Sequence, residues 1–439
     1  MAFELDQTTR SYLESTPLDR DEIPPARLNI ENKARSNLFP WNGQFSPQFV
    51  EALLERYANQ ETKIIDLFCG SGTVLAEASR LGLAATGLEI NPAAYILART
   101  YSFCNVSPTH RQNALDAVES RLKDVLLKGW PFFMSPDNKP VGVYQKELIS
   151  LHEKSTIAEK KILEPLIILA DFFKGVDSQK LAKTWGKLRQ VIEALPYKAN
   201  PIDVIHGDAR FLDFHNQFDL VLTSPPYINV YNYHQQYRAS AEALGWDLLE
   251  VARTEIGSNR KHRGNRFLTV TQYCLDLALA LHSLWAATSE NARLIFVLGR
   301  ESRVRGIQFL NGEIAARLAV DAVGYRLLLR QERVFTNRFG QRIYEDILHF
   351  TKGQSLLAGS QEQAREVALF ILQQALTHAS EQSVRDDLVD AIEKVTIVSP
   401  SPRLATQTPS KDTIANDDLS DTTSRKISRH PRKRQVARG

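Results

Sequence analysis

Short apolar runs alternate with stretches of helical spacing along the first hundred residues. The runs K-I-I-D-L-F (63–68) and A-A-T-G-L-E-I (84–90) have the length and composition of buried strands. Each is followed by a stretch with helical periodicity, V-L-A-E-A-S-R-L after the first and N-P-A-A-Y-I-L-A-R-T after the second. This β-α-β-α order predicts a parallel sheet covered by helices.

A further helix is predicted just before the first strand. Phe49, Leu53 and Tyr57 recur at every fourth position and form one apolar face. Ser46 is a suitable N-cap residue, and Pro47 follows it at the first helical position, where proline is favoured. We therefore expect the helix to begin at Pro47.

The strand pattern stops near residue 105 and returns near residue 200. The region between them is rich in Lys, Glu, Leu and Ala at helical spacing, which predicts a helical insertion. Further strands are predicted at 202–206, 218–222, 293–298, 325–330 and 345–350. The predicted fold class is α/β, with a mostly parallel, Rossmann-like sheet that has helices on both faces.

These patterns divide the chain into consecutive parts. From about residue 399 onward Ser, Pro, Thr, Asp and Arg dominate and apolar residues are few, which is typical of disorder. The expected parts are an irregular leader (1–35), an α/β domain in two pieces (36–104 and 201–350), the helical insertion (105–200), C-terminal helices (351–398) and a disordered basic tail (399–439).

Charge is distributed unevenly along the 439 residues. The formal net charge is +3, yet residues 425–439 contain seven Lys or Arg and no acid, which leaves residues 1–424 at −4. The tail could therefore bind nucleic acid without sequence preference, or it could be a solvated end with no partner.

The composition excludes several classes of protein. No apolar run reaches the roughly 18 residues that a membrane span needs, and the first residues lack the features of a secretory signal. Cys69, Cys104 and Cys274 are far apart and have no metal-ligand spacing. We expect a cytoplasmic protein with free thiols, no metal and no membrane partner.

A glycine-rich corner follows the first predicted strand. The segment D-L-F-C-G-S-G-T (66–73) places Gly70 and Gly72 where the backbone must turn tightly and approach a ligand. Glu89 ends the second predicted strand, where an acid can accept hydrogen bonds from both hydroxyls of a ribose. The glycine spacing is neither that of dinucleotide-binding motifs nor that of a P-loop. Together these residues predict a nucleoside-containing cofactor.

F-C-G-S-G (68–72) and G-L-E-I-N-P (87–92) resemble the S-adenosylmethionine site of class I methyltransferases, especially the F-x-G-x-G motif of amino-directed DNA methyltransferases. The resemblance implies that Phe68 and the glycines line the methionine and ribose, and that the helix at Pro47 packs against the methionine end. It also implies that Asp208, in H-G-D-A-R, meets the adenine amino group. The cofactor residues so implied are Ser46, Pro47, Asp66, Phe68, Gly70, Gly72, Thr73, Glu89 and Asp208.

The segment T-S-P-P-Y (223–227) ends a predicted core strand with two prolines. An exocyclic base amine is a poor nucleophile because its lone pair is delocalised into the ring. The Ser224 hydroxyl and the Pro225 carbonyl could accept its two hydrogens and aim the lone pair at a methyl group, while Tyr227 stacks on the base. Proline holds the carbonyl rigidly because its φ is fixed. The expected catalytic residues are Ser224, Pro225, Pro226 and Tyr227.

Such an amine lies inside a DNA duplex, so its base must be flipped out into a pocket with an aromatic platform. Tyr231, Tyr233 and Tyr237 follow shortly after the corner. They are candidates for the same pocket, although packing in the core or on the surface is the alternative.

In the family that the chain resembles, S-P-P-Y is usual in cytosine-N4 enzymes, whereas D-P-P-Y or N-P-P-Y is more usual in adenine-N6 enzymes. N-P-P-Y is also found in RNA guanine and protein glutamine methyltransferases. Ser224 therefore points to cytosine N4. Cytosine-C5 chemistry is excluded because it needs a thiolate nucleophile, generally in a Pro-Cys pair, and none of the three cysteines follows a proline.

Two arginine-rich segments follow the corner. The stretch 253–266 has Arg, Lys and His against a single acid, and the segment around F-T-N-R-F-G-Q-R forms a second basic set with Arg330 and Arg333. Such residues could contact phosphates or guanine edges, although a charge run is usually solvated surface. The predicted DNA contacts are Arg260, Lys261, Arg263, Arg266, Arg338 and Arg342. The insertion and the C-terminal helices are both candidates for target recognition.

These observations predict a site-specific DNA methyltransferase that uses S-adenosylmethionine, with cytosine N4 as the preferred target. Its partners would be double-stranded DNA and a cognate restriction endonuclease acting on the same site, and it would lie in the cytoplasm with the nucleoid. The alternatives are an adenine-N6 DNA methyltransferase, an RNA base methyltransferase and a non-catalytic DNA-binding subunit.

Overall fold

The computed structural model describes residues 11–30, 34–128, 142–198, 200–228, 233–257, 262, 264–337 and 340–404. The strands within these residues are β1 (Lys63–Asp66), β2 (Ala84–Glu89), β3 (Ile202–His206), β4 (Phe218–Thr223), β5 (Thr288–Gly299), β6 (Glu301–Val304), β7 (Ile307–Leu310), β8 (Tyr325–Thr336) and β9 (Arg342–Lys352). Seven of them form one sheet in the order β3-β2-β1-β4-β5-β9-β8.

The strands from β3 to β5 pair in parallel, and β9 pairs antiparallel with both of its neighbours, β5 and β8. The central strands are apolar on both faces, as parallel strands covered by helices must be: Ile64 and Ile65 are both fully buried. All the predicted strands are present, but β5, β8 and β9 extend beyond the predicted runs because edge and antiparallel strands tolerate polar residues. The β6–β7 hairpin was not predicted.

The helices are α1 (Tyr12–Ser15), α2 (Pro25–Leu28), α3 (Pro47–Tyr57), α4 (Thr73–Leu81), α5 (Pro92–Arg99), α6 (Pro108–Lys128), α7 (Val143–Glu153), α8 (Ile157–Ala170), α9 (Ser178–Ala194), α10 (Arg238–Ala243), α11 (Leu248–Thr254), α12 (Leu268–Ala287), α13 (Asn311–Arg317), α14 (Ser360–His378) and α15 (Gln382–Glu393). Shorter helical turns are Thr100–Asn105, Phe172–Lys174, Tyr233–Gln235 and the π-helical Leu318–Val323.

Two hydrophobic clusters separate the helices into two layers, one on each face of the sheet. The first cluster joins α3, α4 and α5 to the insertion helices α6 to α9. The second joins α12, α13, α14 and α15 to the other face. The strand order, with an antiparallel β9 inserted between β5 and β8, is that of the class I methyltransferase fold, as the sequence predicts.

The N-terminal segment lies along the edge strand β8, although it was expected to be irregular. The Asp19 N–H donates to the Arg330 carbonyl at 2.7 Å, and the Val334 N–H donates to Asn29 Oδ1 at 2.7 Å. Leu13 is buried in the second cluster. Covering β8 in this way satisfies an edge that would otherwise present unpaired backbone groups.

The ordered structure extends past residue 398, where the basic tail was predicted to begin. Ser401 and Leu404 are buried, and the Ser401 N–H and Oγ both donate to Asp276 of α12, at 2.9 and 2.6 Å. The prediction of disorder from residue 399 is therefore wrong for 399–404, because these polar residues find buried partners that the local composition does not reveal. The rest of the predicted tail lies outside the described residues.

Within the described ranges, every helix is too short or too polar to cross a bilayer. The same residues contain no group of three or more His, Cys, Asp or Glu that could hold a metal ion.

Candidate active site

A cleft of 1420 Å³ opens at the carboxyl ends of β1, β2 and β4. Ligands of α/β proteins bind at this edge of the sheet. Most of the predicted site residues line it, although they come from distant parts of the sequence. Those that line the cleft are Ser46, Pro47, Asp66, Phe68, Gly70, Thr73, Glu89, Asp208, Ser224, Pro225, Pro226, Tyr227 and Arg342.

The loop after β1 is tied to the end of β2 by Glu89. One carboxylate oxygen accepts the Gly70 N–H at 2.8 Å, and the other accepts the Asn91 N–H at 2.8 Å. Gly70 has a φ of +53°, which favours glycine, and an added Cβ would lie 3.2 Å from the Trp41 ring. Burial raises the pKa of Glu89 to about 7, against the lowering effect of these two N–H donors.

Gly72 does not line the cleft, in contrast to its predicted contact with the cofactor. Its φ is +89°, and an added Cβ would lie 2.9 Å from the Tyr101 ring and 3.2 Å from the Ala98 Cα. Glycine is therefore required here because α4 begins in close contact with the helix and turn that follow β2. The sequence pattern alone cannot separate this packing role from contact with a ligand.

Asp66 connects the end of β1 to the end of β4. It is 3% exposed, and its Oδ1 accepts the Thr223 hydroxyl at 2.7 Å and the Phe68 N–H at 3.2 Å. Burial raises its pKa to about 7, although both donors lower it. This contact fixes the position at which the T-S-P-P-Y corner leaves the sheet.

Ser46 is at the N-cap position of α3, but its hydroxyl makes no capping hydrogen bond. It instead accepts a hydrogen bond from Arg333 of β8 at 3.0 Å. The guanidinium lies between the rings of Phe49 and Phe335 and pairs with Glu345 at 3.0 Å. Arg333 lines the cleft and is 4% exposed, and burial lowers its pKa.

The residues of the second predicted basic set therefore differ in burial and in their partners. Arg330 pairs with Asp346 at 2.9 Å and donates to the Leu13 carbonyl, so it supports the fold as Arg333 does. Arg342 is exposed and lines the cleft. Arg338 lies outside the described residues. The sequence could not distinguish these roles because burial depends on which face of β8 or β9 each side chain occupies.

Asp208 lines the cleft and also belongs to a buried ion-pair network. Both of its carboxylate oxygens accept from Arg210, whose fully buried guanidinium also pairs with Asp276 at 2.8 Å. The Ser401 and Pro402 carbonyls accept from the same guanidinium at 2.7 and 2.9 Å. Residues 399–404 thus help to hold Arg210 against Asp208, which no sequence motif indicates.

The T-S-P-P-Y corner leaves β4 beside this network. The Ser224 and Tyr227 hydroxyls are 3.3 Å apart, so both reach the same part of the cleft. The Tyr227 ring lies against Gly299 at the end of β5, where an added Cβ would be 3.0 Å from the ring. The Tyr227 carbonyl lies equally close to the Cβ position of Gly257. Close approach on two sides holds the tyrosine in place.

The aromatic residues near the corner form a second group around Trp41, which sequence reasoning missed. Tyr233 stacks on Trp41 at 6.4 Å between ring centroids, and both line the cleft. The Tyr237 ring also stacks on Trp41, with 6.4 Å between the ring centroids, but Tyr237 does not line the cleft. Tyr231 lies outside the described residues.

The predicted DNA contacts of the first basic stretch are mostly outside the described residues, which exclude Arg260, Lys261 and Arg263. Arg266 is exposed but does not line the cleft. Its neighbour Asn265 donates to the Asp387 carbonyl and to Asp390 of α15. This end of the stretch is therefore fastened to the C-terminal helices.

Comparison with known families finds a match for the N-terminal part of the chain. A family model for N6/N4 methyltransferases, described as DNA methylase, matches residues 10–99, which include the glycine loop and Glu89. This part of the chain is similar to the amino-methyltransferase family. The match confirms the resemblance of F-C-G-S-G and G-L-E-I-N-P to the amino-directed enzymes.

Two curated relatives of this chain are Type II methyltransferases. M.BsoBI of Geobacillus stearothermophilus is 24% identical over 276 residues, which are 49% of this chain and 54% of the relative. M.MjaII of Methanocaldococcus jannaschii is 28% identical over 135 residues, which are 29% of this chain and 24% of the relative. The chain thus matches about half of the first relative and about a quarter of the second.

Solved structures are similar at low identity. An S-adenosylmethionine-dependent methyltransferase of Methanosarcina mazei has 12% identity and a TM-score of 0.33, covering 69% of this chain and 98% of that one. The rRNA methyltransferase AviRa of Streptomyces viridochromogenes has 14% identity and a TM-score of 0.28, covering 80% and 96%. The fold assignment rests on the strand order rather than on these scores.

The cofactor of the amino-methyltransferases is S-adenosylmethionine, and the described residues fit it. Gly70 and Thr73, the first residue of α4, line the cleft, and Glu89 lies at the end of β2. Asn91 Nδ2 is buried without a hydrogen-bond partner within the described residues, which marks a polar position that a ligand can satisfy.

Proposed function

We propose that this protein is a site-specific DNA methyltransferase that modifies the exocyclic amine of a flipped base, with cytosine N4 preferred. The observation that carries the proposal is the intact T-S-P-P-Y corner, with Ser224 and Tyr227 facing the same cleft as Gly70 and Glu89. The Type II relatives support DNA as the substrate class.

The corner supplies orientation rather than acid–base chemistry. The Ser224 hydroxyl and the Pro225 carbonyl accept the two amine hydrogens and direct the nitrogen lone pair toward the methyl donor. Tyr227 stacks on the base, and Gly299 behind its ring keeps that face fixed. S-adenosylmethionine supplies an electrophilic methyl group, and the proton left on the amine passes to water.

Two further features would shape the pocket for the base. Phe335 lines the cleft on the side of β8, where it packs on the Arg333 guanidinium. Trp41 and Tyr233 cover the side of the glycine loop. An unstacked base gains favourable contacts with such aromatic surfaces, which offsets part of the free energy of flipping.

Ser224 carries the preference for cytosine N4. The preference rests on the resemblance of S-P-P-Y to the form usual in cytosine-N4 enzymes, and the Ser224 hydroxyl can accept one hydrogen bond from the amine. Arg342 at the cleft edge would contact the DNA backbone, as would Arg260, Lys261, Arg263, Arg266 and Arg338. A cytoplasmic restriction–modification system with a cognate endonuclease would be the natural setting.

Expression in a host without DNA methylation, followed by single-molecule sequencing, tests the proposal. We expect N4-methylcytosine in one sequence context, and no modification with the Ser224→Ala variant, which lacks the hydroxyl acceptor. Detection of N6-methyladenine instead of N4-methylcytosine would show that the enzyme modifies adenine, which is the alternative target. Unmodified DNA together with methyl transfer to RNA in vitro would overturn the DNA assignment.

A further inference from the structure

A carboxylate outside the recognised motifs lies between the two halves of the site. Glu255 follows α11 and lines the cleft with its neighbours Thr254 and Ile256. The Thr254 carbonyl accepts from Arg210 at 3.3 Å, on the Asp208 side of the cleft. Two residues later, the Gly257 Cβ position lies 3.0 Å from the Tyr227 carbonyl. The segment therefore bridges the cofactor side and the catalytic corner.

Only one of the two carboxylate oxygens of Glu255 has a hydrogen-bond partner within the described residues. Its Oε2 lies 2.9 Å from His234 Nδ1, and His234 is 1% exposed. Glu255 itself is 8% exposed, and its Oε1 is buried with no hydrogen-bond partner in the described part of the chain. A buried carboxylate oxygen left without a donor costs free energy, so a ligand that offers a donor or a positive charge would be favoured there.

Glu255 is also close enough to affect the residue that marks the cofactor site. After burial and the two N–H donors, the negative charges of Asp66 and Glu255 raise the pKa of Glu89. Two of the other acidic groups lining the cleft have arginine partners, since Asp208 pairs with Arg210 and Glu345 pairs with Arg333, and Arg342 is an exposed cation at the cleft edge. The lining carboxylates without an arginine or lysine partner within the described residues are Asp66, Glu89 and Glu255.

We infer that Glu255, oriented by His234, is a further cofactor-binding residue that selects the cationic sulfonium form of the cofactor over the uncharged thioether product. The inference rests on the proposed methyl transfer from S-adenosylmethionine. Transfer of the methyl group to the amine converts the sulfonium to a neutral thioether, so the cofactor loses one positive charge. A cleft with uncompensated carboxylates holds the reactant more tightly than the product and favours release of the product.

Calorimetric titration of the full chain with S-adenosylmethionine and with S-adenosylhomocysteine, without DNA, tests this inference. The Glu255→Gln variant keeps the shape of the side chain and removes its charge. We expect the affinity for S-adenosylmethionine to fall about tenfold, and the affinity for S-adenosylhomocysteine to fall less than about threefold. Glu242→Gln, which removes an exposed carboxylate of α10, should change neither affinity.

Two more variants separate charge from structure. Glu255→Asp retains the charge and should retain the preference for the sulfonium. His234→Gln removes the imidazole that orients the carboxylate, and it should reduce the preference less than Glu255→Gln does. An equal loss for both ligands in Glu255→Gln would show that the residue only supports the fold, and it would overturn the inference.

The outcome is separable from that of the proposed function. If the wild type binds S-adenosylmethionine preferentially and Glu255→Gln loses that preference, the inference stands even when DNA is not methylated. If the wild type binds neither ligand, the cofactor assignment fails, and both the proposed function and this inference fail with it.

Discussion

The two walls of the cleft are assembled in different ways. The wall formed by the glycine loop comes from one stretch of chain, since Asp66, Gly70 and Glu89 lie on two adjacent parallel strands and their connection. The opposite wall joins Ser46 to Arg333, which are 287 residues apart, and adds Glu345 from the neighbouring strand. The first wall is therefore local in sequence, whereas the second depends on the completed sheet.

The two walls also differ in charge. The glycine-loop wall presents carboxylates whose pKa values burial raises. The β8–β9 wall presents a guanidinium that Glu345 neutralises and two aromatic rings enclose. The comparison indicates that the glycine-loop wall follows a recognisable sequence motif, whereas the contacts of the opposite wall join residues that are far apart in the chain.

The largest effect is expected at the corner where the two walls meet. Tyr227→Ala should lower methyl transfer about 100-fold or more, because the base loses its stacking face and its orientation. Binding of S-adenosylmethionine should stay nearly intact, as measured by titration without DNA. Tyr227→Phe, which keeps the ring, should retain much of the transfer rate. Loss of cofactor binding in Tyr227→Ala would instead mean that the corner supports the cofactor wall.

Substitution of Arg333 tests the contacts of the β8–β9 wall. Arg333→Met leaves Glu345 without its buried partner, and we expect the free energy of unfolding to fall by about 3 kcal/mol. Urea unfolding of the cofactor-free protein measures this change. Arg342→Met is the matched control, because Arg342 is exposed and its loss should affect stability by less than about 0.5 kcal/mol. Equal stabilities of the two variants would contradict the distinction between the walls.

The C-terminal segment supports the Asp208 side of the cleft. A chain ending at residue 398 lacks the Ser401 and Pro402 carbonyls that hold Arg210, whereas a chain ending at 404 keeps them. We expect the shorter chain to bind S-adenosylmethionine about tenfold more weakly, since two hydrogen bonds to a buried charge are lost. The longer truncation should match the full chain in cofactor affinity, and a loss in both would refute this role for 399–404.

A further prediction concerns the pH dependence of the glycine-loop wall. The pKa of Asp66 is raised to about 7 in the folded protein from an ordinary value of 3.8. Because the folded state binds the proton more tightly, the stabilisation is complete below the ordinary value and is lost as pH rises through about 7. Asp66→Asn should flatten this decline by at most about 1.4 kcal/mol per pH unit. Urea unfolding at pH 5 and pH 8 measures the slope, and an unchanged slope would contradict the assignment.

The sequence by itself determined the positions of the strands along the chain, of the glycine loop and of the T-S-P-P-Y corner. Ile64 and Ile65 are buried as predicted, and Ser224 and Tyr227 lie at the end of β4. These features could be predicted because each depends on residues adjacent in the chain: an apolar run forms a strand, a glycine pair forms a turn, and two prolines end a strand.

Only the tertiary structure decided the contacts of Gly72, Ser46, Arg333, Arg210 and Glu255. These contacts involve residues from other elements, such as the contact of the Arg210 guanidinium with the carbonyl of Ser401. Periodicity predicts that a residue is buried or exposed within its own element, but it does not identify the side chain that meets it from another element. The physical reason is that the pairing of buried charges depends on geometry in three dimensions, which local patterns do not contain.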